Sequence, residues 1–254
     1  MSKKVLVTGS TRGIGRGIIE KFHSENWDVC ITGRNENQVK NLQQDFNQDR
    51  ESSAIGICVD LEKKSETIQL YEYIESSWGT IDCLVLNIGK GSGPKGIDSD
   101  FSSNTDLLKI NFLDTVWNFN KLIPLLEKNI NGGSLIFIGS IAQEVNVNAP
   151  ISYAYSKKAV NTFARYQARR LAPKGISCNA INPGHILTKN GVWEKKKVDS
   201  PELFDEFISE NIPVGNIGEV ENVAELVFFC TDKSINKYLT GQSLNIDGGT
   251  SILY

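Results

Sequence analysis

Val5-Leu6-Val7-Thr8-Gly9-Ser10-Thr11-Arg12-Gly13-Ile14-Gly15 carries a short apolar strand into three spaced glycines and on into a helix, whose buried stripe is marked by Ile14, Ile18, Ile19 and Phe22. The glycines therefore lie at a strand-to-helix turn, where backbone N–H groups and the positive end of the helix dipole can hold a pyrophosphate. Beyond the turn, short apolar runs alternate with helical patterns along the rest of the chain. That alternation belongs to an α/β protein with a parallel sheet covered on both faces. Strands are expected at 4–7, 28–32, 54–59, 83–86, 134–138, 177–181 and 243–246. Val39, Leu42 and Phe46 mark one helix, and Ile68, Tyr71, Ile74 and Trp78 another. Longer helices are expected at 107–126 and 153–171. Without repeats, low-complexity tracts or a linker, residues 1–254 read as a single domain. The least regular stretch, 185–218, holds two prolines and a helical patch at Leu203, Phe204 and Phe207, the pattern of a flap over a substrate.

The run Ser152-Tyr153-Ala154-Tyr155-Ser156-Lys157 places a phenol and an ammonium four residues apart, on one face of a helix. Ser140 stands thirteen positions upstream of Tyr153, at the end of an apolar run. A free tyrosine, with a pKa near ~10, is a poor acid–base group at neutral pH. A cation about 4 Å away favours the phenolate by roughly 4 kcal/mol at an effective dielectric of ~20, before desolvation takes part back. The expectation is a Tyr153 phenol depressed by Lys157 into the working range of a general acid/base. Tyr155 faces elsewhere and has Ala159 where a lysine would be needed, so it reads as packing or substrate lining.

Thr8-Gly9-x-x-x-Gly13-x-Gly15, Ser140 and Tyr153-x-x-x-Lys157 together resemble the short-chain dehydrogenase/reductase family in its compact form, over essentially the whole chain. Further matches follow in order: Asp60, Asn87 with Gly89, Asn111, Asn182-Pro183-Gly184 with Thr188, and Thr240-Gly241-Gln242 leading to Asp247-Gly248-Gly249. The Pro-Gly and C-terminal motifs resemble 3-oxoacyl-reductase-like members. One departure is Leu86-Asn87-Ile88-Gly89, where the family usually has Asn-Asn-Ala-Gly. The resemblance implies a Rossmann-type, doubly wound, seven-stranded parallel sheet with ligands beyond the carboxyl ends of the strands. It implies Asn111, Ser140, Tyr153 and Lys157 as the catalytic set, with Asn111 holding a proton-relay water. For the cofactor it implies Gly9, Thr11, Arg12, Gly13, Ile14, Gly15, Arg34, Asp60, Leu61, Asn87, Gly89, Tyr153, Lys157, Pro183, Gly184, Ile186 and Thr188. Asp60 has a plainer alternative as a helix cap.

Members that prefer NAD end the second strand with an acidic residue about ~20 positions past the glycine turn. Here that place reads Thr32-Gly33-Arg34-Asn35, and Arg12 offers a second cation. NADP(H) is therefore expected over NAD(H), in the reduction of a ketone or 3-oxo group to a secondary alcohol. A compact sugar or nucleotide-sugar dehydrogenase and a non-enzymatic NADP(H)-binding regulator stand as alternatives, the intact catalytic set weighing against the regulator. The resemblance, together with the two long helices, implies a homotetramer or homodimer, with Leu108, Phe112, Val116, Phe119 and Phe163 as surplus apolar residues. Lys90 and Lys95 in a glycine-rich loop, with Lys189 and Lys195-Lys196-Lys197 on the flap, suggest an anionic group on the substrate.

Composition sets outer limits. The chain has 254 residues, 40% of them hydrophobic and 22% charged, with a net charge of −3. That balance argues against a nucleic-acid partner, and the apolar run after Met1 is too short for a signal segment, so no membrane partner and a cytoplasmic protein are expected. Cys30, Cys58, Cys83, Cys178 and Cys230 are odd in number and widely spaced, and read as buried free thiols with no metal-ligand pattern.

Overall fold

The computed structural model describes residues 2–93, 101–232 and 238–253; Pro94, Lys95 and Gly96 of the expected substrate loop lie outside the described residues. A seven-stranded parallel sheet runs in the order β3-β2-β1-β4-β5-β6-β9. Its strands are β1 (Lys4–Val7), β2 (Asp28–Gly33), β3 (Ala54–Cys58), β4 (Cys83–Leu86), β5 (Gly133–Ile138), β6 (Ile176–Pro183) and β9 (Ser243–Ile246). The order reverses between β1 and β4, which opens a crevice there beyond the strand ends.

Side chains alternate across the sheet. Leu6, Leu84, Leu86, Leu135 and Phe137 point to the face covered by α3 (Lys64–Trp78), α5 (Asp114–Glu127) and α6 (Ile151–Leu171). Val5, Val7, Val85, Ile136 and Ile138 point to the face covered by α1 (Gly13–Ser24), α2 (Glu36–Asp49) and α9 (Val220–Phe229). Because the central strands are buried on both sides, they read in sequence as unbroken apolar runs. Cys30, Cys83, Cys178 and Cys230 are buried, while Cys58 at the outer end of β3 is exposed, so the expectation of five buried thiols is corrected there.

The helix expected at 107–126 is not continuous. α4 (Phe101–Leu108) passes into a π-helical turn, Lys109–Leu113, before α5 begins. The Asp114 N–H reaches back to the Lys109 carbonyl, and the widened turn brings Asn111 fully inward. The stretch 185–218 also has more order than its pattern suggested. It contains β7 (Ile186–Leu187), α7 (Val192–Asp199), α8 (Pro201–Asn211) and β8 (Gly218–Glu219), with β7 and β8 pairing as a small parallel ribbon. Among the described residues no helix is long and apolar enough to cross a membrane, and no His/Cys/Asp/Glu cluster could hold a metal.

Candidate active site

Three strand ends and two helices meet at the crevice. The glycine turn after β1 is fastened from β4: the Asn87 side-chain amide donates to the carbonyls of Thr8 (3.0 Å) and Gly9 (3.3 Å), and the Asn87 N–H donates to Thr8 Oγ1 (2.9 Å). Asn87 thus braces the turn. Gly9 and Gly13 have φ of +67° and +56°, which only glycine adopts without strain. A side chain at Gly15 would lie 2.4 Å from the Gly9 carbonyl oxygen, so this position lets the helix close on the turn. Arg12, the residue before α1, makes no side-chain cap, and the first-turn N–H groups remain directed at the crevice. A Cβ built at Gly13 would meet only the Thr188 methyl, at 3.8 Å, which puts Thr188 on the facing wall. These features fit the pyrophosphate of a dinucleotide.

The remaining cofactor candidates divide into rim and support. Arg12 and Arg34 are exposed on the rim. Asp60 does not cap α3, whose preceding residue is Lys63. Its carboxylate accepts from the Glu62 N–H (3.2 Å), and its own N–H is taken by Glu66 Oε2 (2.5 Å). Leu61 is buried, with its carbonyl held by Asn118 Nδ2 at 3.0 Å. Pro183 ends β6, and Gly184 packs so closely on Asp247 that a Cβ would fall 2.7 Å from its Cα. Ile186 is buried at the start of the ribbon.

At the other end of the crevice Asn111, Ser140, Tyr153 and Lys157 come together. Ser140 follows β5 and precedes a short 3₁₀ turn, where its Oγ accepts from the Ala142 N–H (3.2 Å). The Ser140 hydroxyl also acts on the Tyr153 phenol, favouring its ionised form. Lys157, 4% exposed, donates from Nζ to the Ile138 carbonyl (2.8 Å), with Nζ 5.7 Å from the centre of the Tyr153 ring. A Cβ built at Gly89 would lie 2.7 Å from Asn111 Oδ1 and 3.1 Å from Lys157 Nζ, so Gly89 marks where these two groups approach.

The Asn111 side chain is already engaged: Oδ1 accepts from the Lys90 N–H (2.9 Å), and Nδ2 donates to the carbonyls of Lys90 and Leu107 (3.0 Å each). It clamps the loop after β4. The Tyr153 phenol is not depressed by Lys157. Burial pushes it up, and the nearby Ser140 hydroxyl offsets only part of that rise. The same burial pulls Lys157 down to about 8, so it still carries its charge most of the time at neutral pH. Desolvation is the largest influence on both groups. The arrangement can therefore present a protonated phenol, backed by a serine hydroxyl, to an oxygen arriving from the crevice.

A polar network lies behind Lys157, and of its members only Asn182 belongs to a motif read in the sequence. Asn161, one helical turn on, donates to the Lys157 carbonyl (2.9 Å) and to Asn182 Oδ1 (2.9 Å), and accepts from Ser243 Oγ (2.7 Å). Asn182 donates back to Ser243 (2.9 Å). The ring binds α6 to β6 and β9 and fixes the height of the lysine. Its traces in sequence are Asn182 and an Asn at one-turn spacing after Lys157.

Residues 9–251 match a family model described as enoyl-(acyl carrier protein) reductase. A diacetyl reductase [(S)-acetoin forming] of Staphylococcus epidermidis is 29% identical over 98% of each chain. A 3-oxoacyl-[acyl-carrier-protein] reductase of Aquifex aeolicus is 29% identical, covering 97% of this chain and 96% of its own. The solved structure of ElxO with NADP bound superposes with a TM-score of 0.88 at 27% identity, over 98% of this chain and 99% of that one.

Proposed function

As the chain belongs to the short-chain dehydrogenase/reductase family of oxidoreductases, we propose that it is an NADPH-dependent reductase that converts a small ketone or 3-oxo compound into a secondary alcohol. The observation that carries this reading is the gathering of the Tyr153 phenol, the Ser140 hydroxyl that acts on it and Lys157 one turn on, at the open end of a crevice whose other end is the glycine turn. When bound, the cofactor supplies a hydride for the carbonyl carbon. Ser140 orients the carbonyl oxygen by a hydrogen bond, and Tyr153 gives that oxygen a proton. Lys157 stands within reach of the ribose side and of the developing phenolate. Asn111 and Asn161 hold loop and helix in register. Burial keeps the Tyr153 proton in place at neutral pH but makes it harder to release, so its donation relies on the Lys157 ammonium stabilising the phenolate that forms.

Arg34 and Arg12 on the adenosine side support NADP(H) over NAD(H), since an exposed guanidinium can pair with a 2′-phosphate. At the ends of α5 and α6, Arg170 (2.8 Å) and Lys174 (2.9 Å) share one carboxylate, Glu127, and Arg169 is exposed beside them, so this end of the two helices keeps a net positive charge. Residues 185–218 form the substrate flap in this reading, and Lys90, Lys189 and Lys195 are exposed around the opening, where an anionic substituent would be met. Lys196 is instead spent over the rings of Trp193 (4.5 Å) and Phe207 (5.3 Å).

A second copy of the chain is the expected partner, as a homodimer or homotetramer. Phe119 is not surplus: it is buried against Phe137 and Phe163. The unpaired apolar surface belongs to Tyr155 and Tyr166, 64% and 75% exposed, beside a shallow groove with Phe112, Ala159 and Phe163. The test of the catalytic reading is NADPH consumption across a panel of diketones, cyclic ketones and 3-oxo thioesters, with Tyr153→Phe alongside. The expected outcome is turnover of at least one carbonyl and less than about a tenth of it in the variant, because a general acid contributes roughly 100-fold or more. Cofactor affinity should be nearly unchanged. A variant retaining more activity than that would remove Tyr153 from the acid role.

A further inference from the structure

Arg34 is not alone at the adenosine end. Its Nη1 lies 3.2 Å from Glu62 Oε1, with the two side chains 63% and 33% exposed. The pairing follows from the sheet edge. β2 and β3 run in register to Gly33 and Cys58, and the Val59 N–H extends the ladder to the Gly33 carbonyl (2.8 Å). Residues 59–62 therefore turn directly beside residues 33–34. Gly33 is pressed against Thr11, with a Cβ there only 2.5 Å from the threonine methyl, which leaves the Arg34 side chain on the rim.

The Glu62 backbone is equally well held. Its N–H is bonded to Asp60, Asp60 is bonded to Glu66, and the preceding Leu61 is buried and tied to Asn118. Other charges nearby are engaged elsewhere: Glu36 pairs with Lys40 (2.6 Å), and Lys109, which feels the Glu62 charge, is bonded to Asp114 (2.8 Å).

We propose that Glu62 is a cofactor-specificity residue, one that ties up Arg34 in an ion pair and so narrows the preference for NADP(H) over NAD(H). The inference rests on the nicotinamide-cofactor reading above and refines it. A 2′-phosphate bears nearly two negative charges at neutral pH, must share Arg34 with a carboxylate, and meets the repulsion of that carboxylate as well. A ribose 2′-hydroxyl has the opposite experience, because it can donate to Glu62. Binders of NAD take that hydrogen bond from an acid at the end of the second strand, the place held here by Arg34. Glu62 delivers the same chemistry from the next turn of the sheet.

Adenosine 2′,5′-bisphosphate and 5′-AMP, which differ only in the 2′-phosphate, isolate this corner. NADPH and NADH are measured beside them by calorimetry at low and high salt. In Glu62→Gln, affinity for the bisphosphate should rise about tenfold, equivalent to roughly 1.4 kcal/mol. Affinity for 5′-AMP should stay level or fall up to about threefold, and the gain should shrink at high salt. Glu62→Asp, which keeps the charge, should show at most a small part of the gain, and so should Glu36→Gln, a nearby carboxylate already paired. In Arg34→Gln the preference for the bisphosphate should fall, and adding Glu62→Gln should then recover less than it does in the wild type. An unchanged ratio of the two affinities in Glu62→Gln, or weaker binding of the bisphosphate, overturns the role of Glu62 while leaving the cofactor reading intact if NADPH or NADH still binds. Failure of both whole cofactors to bind the wild-type chain overturns the cofactor reading and the role of Glu62 with it.

Discussion

Replacing Gly89 by alanine probes the approach of Asn111 and Lys157 with the smallest available change. The added methyl would stand 2.7 Å from Asn111 Oδ1 and 3.1 Å from Lys157 Nζ, against an ordinary contact of at least 3.4 Å. Neither neighbour yields easily. Asn111 is held by three hydrogen bonds to Lys90 and Leu107, and Lys157 by one to Ile138. Overpacking of a well-filled site costs typically 1–3 kcal/mol, and a broken hydrogen bond about 1 kcal/mol, so a loss of roughly 2 kcal/mol is expected. In a chain of this size that lowers Tm by about 4–8 °C. A displacement of about half an ångström at the lysine should reduce kcat roughly tenfold, since 1 Å can cost about 100-fold. The assays are thermal unfolding and steady-state NADPH oxidation with the best carbonyl found. Gly91→Ala is the stability control, its Cβ being 3.8 Å from the Tyr153 ring, and its Tm should move little. A Gly89→Ala protein with unaltered Tm and more than half the parental kcat would refute the packing on which the Asn111–Lys157 geometry depends.

Lys157 is pulled down by burial from 10.5 to about 8, so between those pH values the unfolded chain carries a proton that the folded chain lacks. Stability should therefore rise with pH across that window by about 3 kcal/mol relative to Lys157→Met, measured by denaturant titration; parallel curves would contradict it. His23 is buried, bonded to Ser53 (2.9 Å) and stacked on Phe46, and is lowered below 6.5 by burial first and by the Arg50 charge second, against a smaller opposing pull from Asp49. Unfolding below about pH 6.5 lets it take up a proton, so acidification should cost stability, and His23→Gln should flatten that slope. Tyr166→Asp, in the exposed groove on α6, should reduce the mass seen by light scattering at micromolar concentration; a parent that is already monomeric would remove the dimer reading.

The alternation of apolar runs and helical stripes was enough to read the parallel sheet, because strands buried on both faces must be apolar throughout and their covering helices must be apolar on one side. Motif spacing likewise located the glycine turn and the Tyr153–Lys157 face, since both depend on short-range geometry that the chain carries locally. Where reading along the chain failed, the cause lay in contacts between distant residues. The π turn at Lys109–Leu113 arises as Asn111 is drawn to Lys90, twenty-one positions away. Glu62 meets Arg34 across twenty-eight positions only because β2 and β3 lie in register. The charge balance at Tyr153 was misjudged for the same reason: spacing on a helix shows which groups share a face, but their protonation depends on how much protein surrounds them, and that is set by the whole packed core.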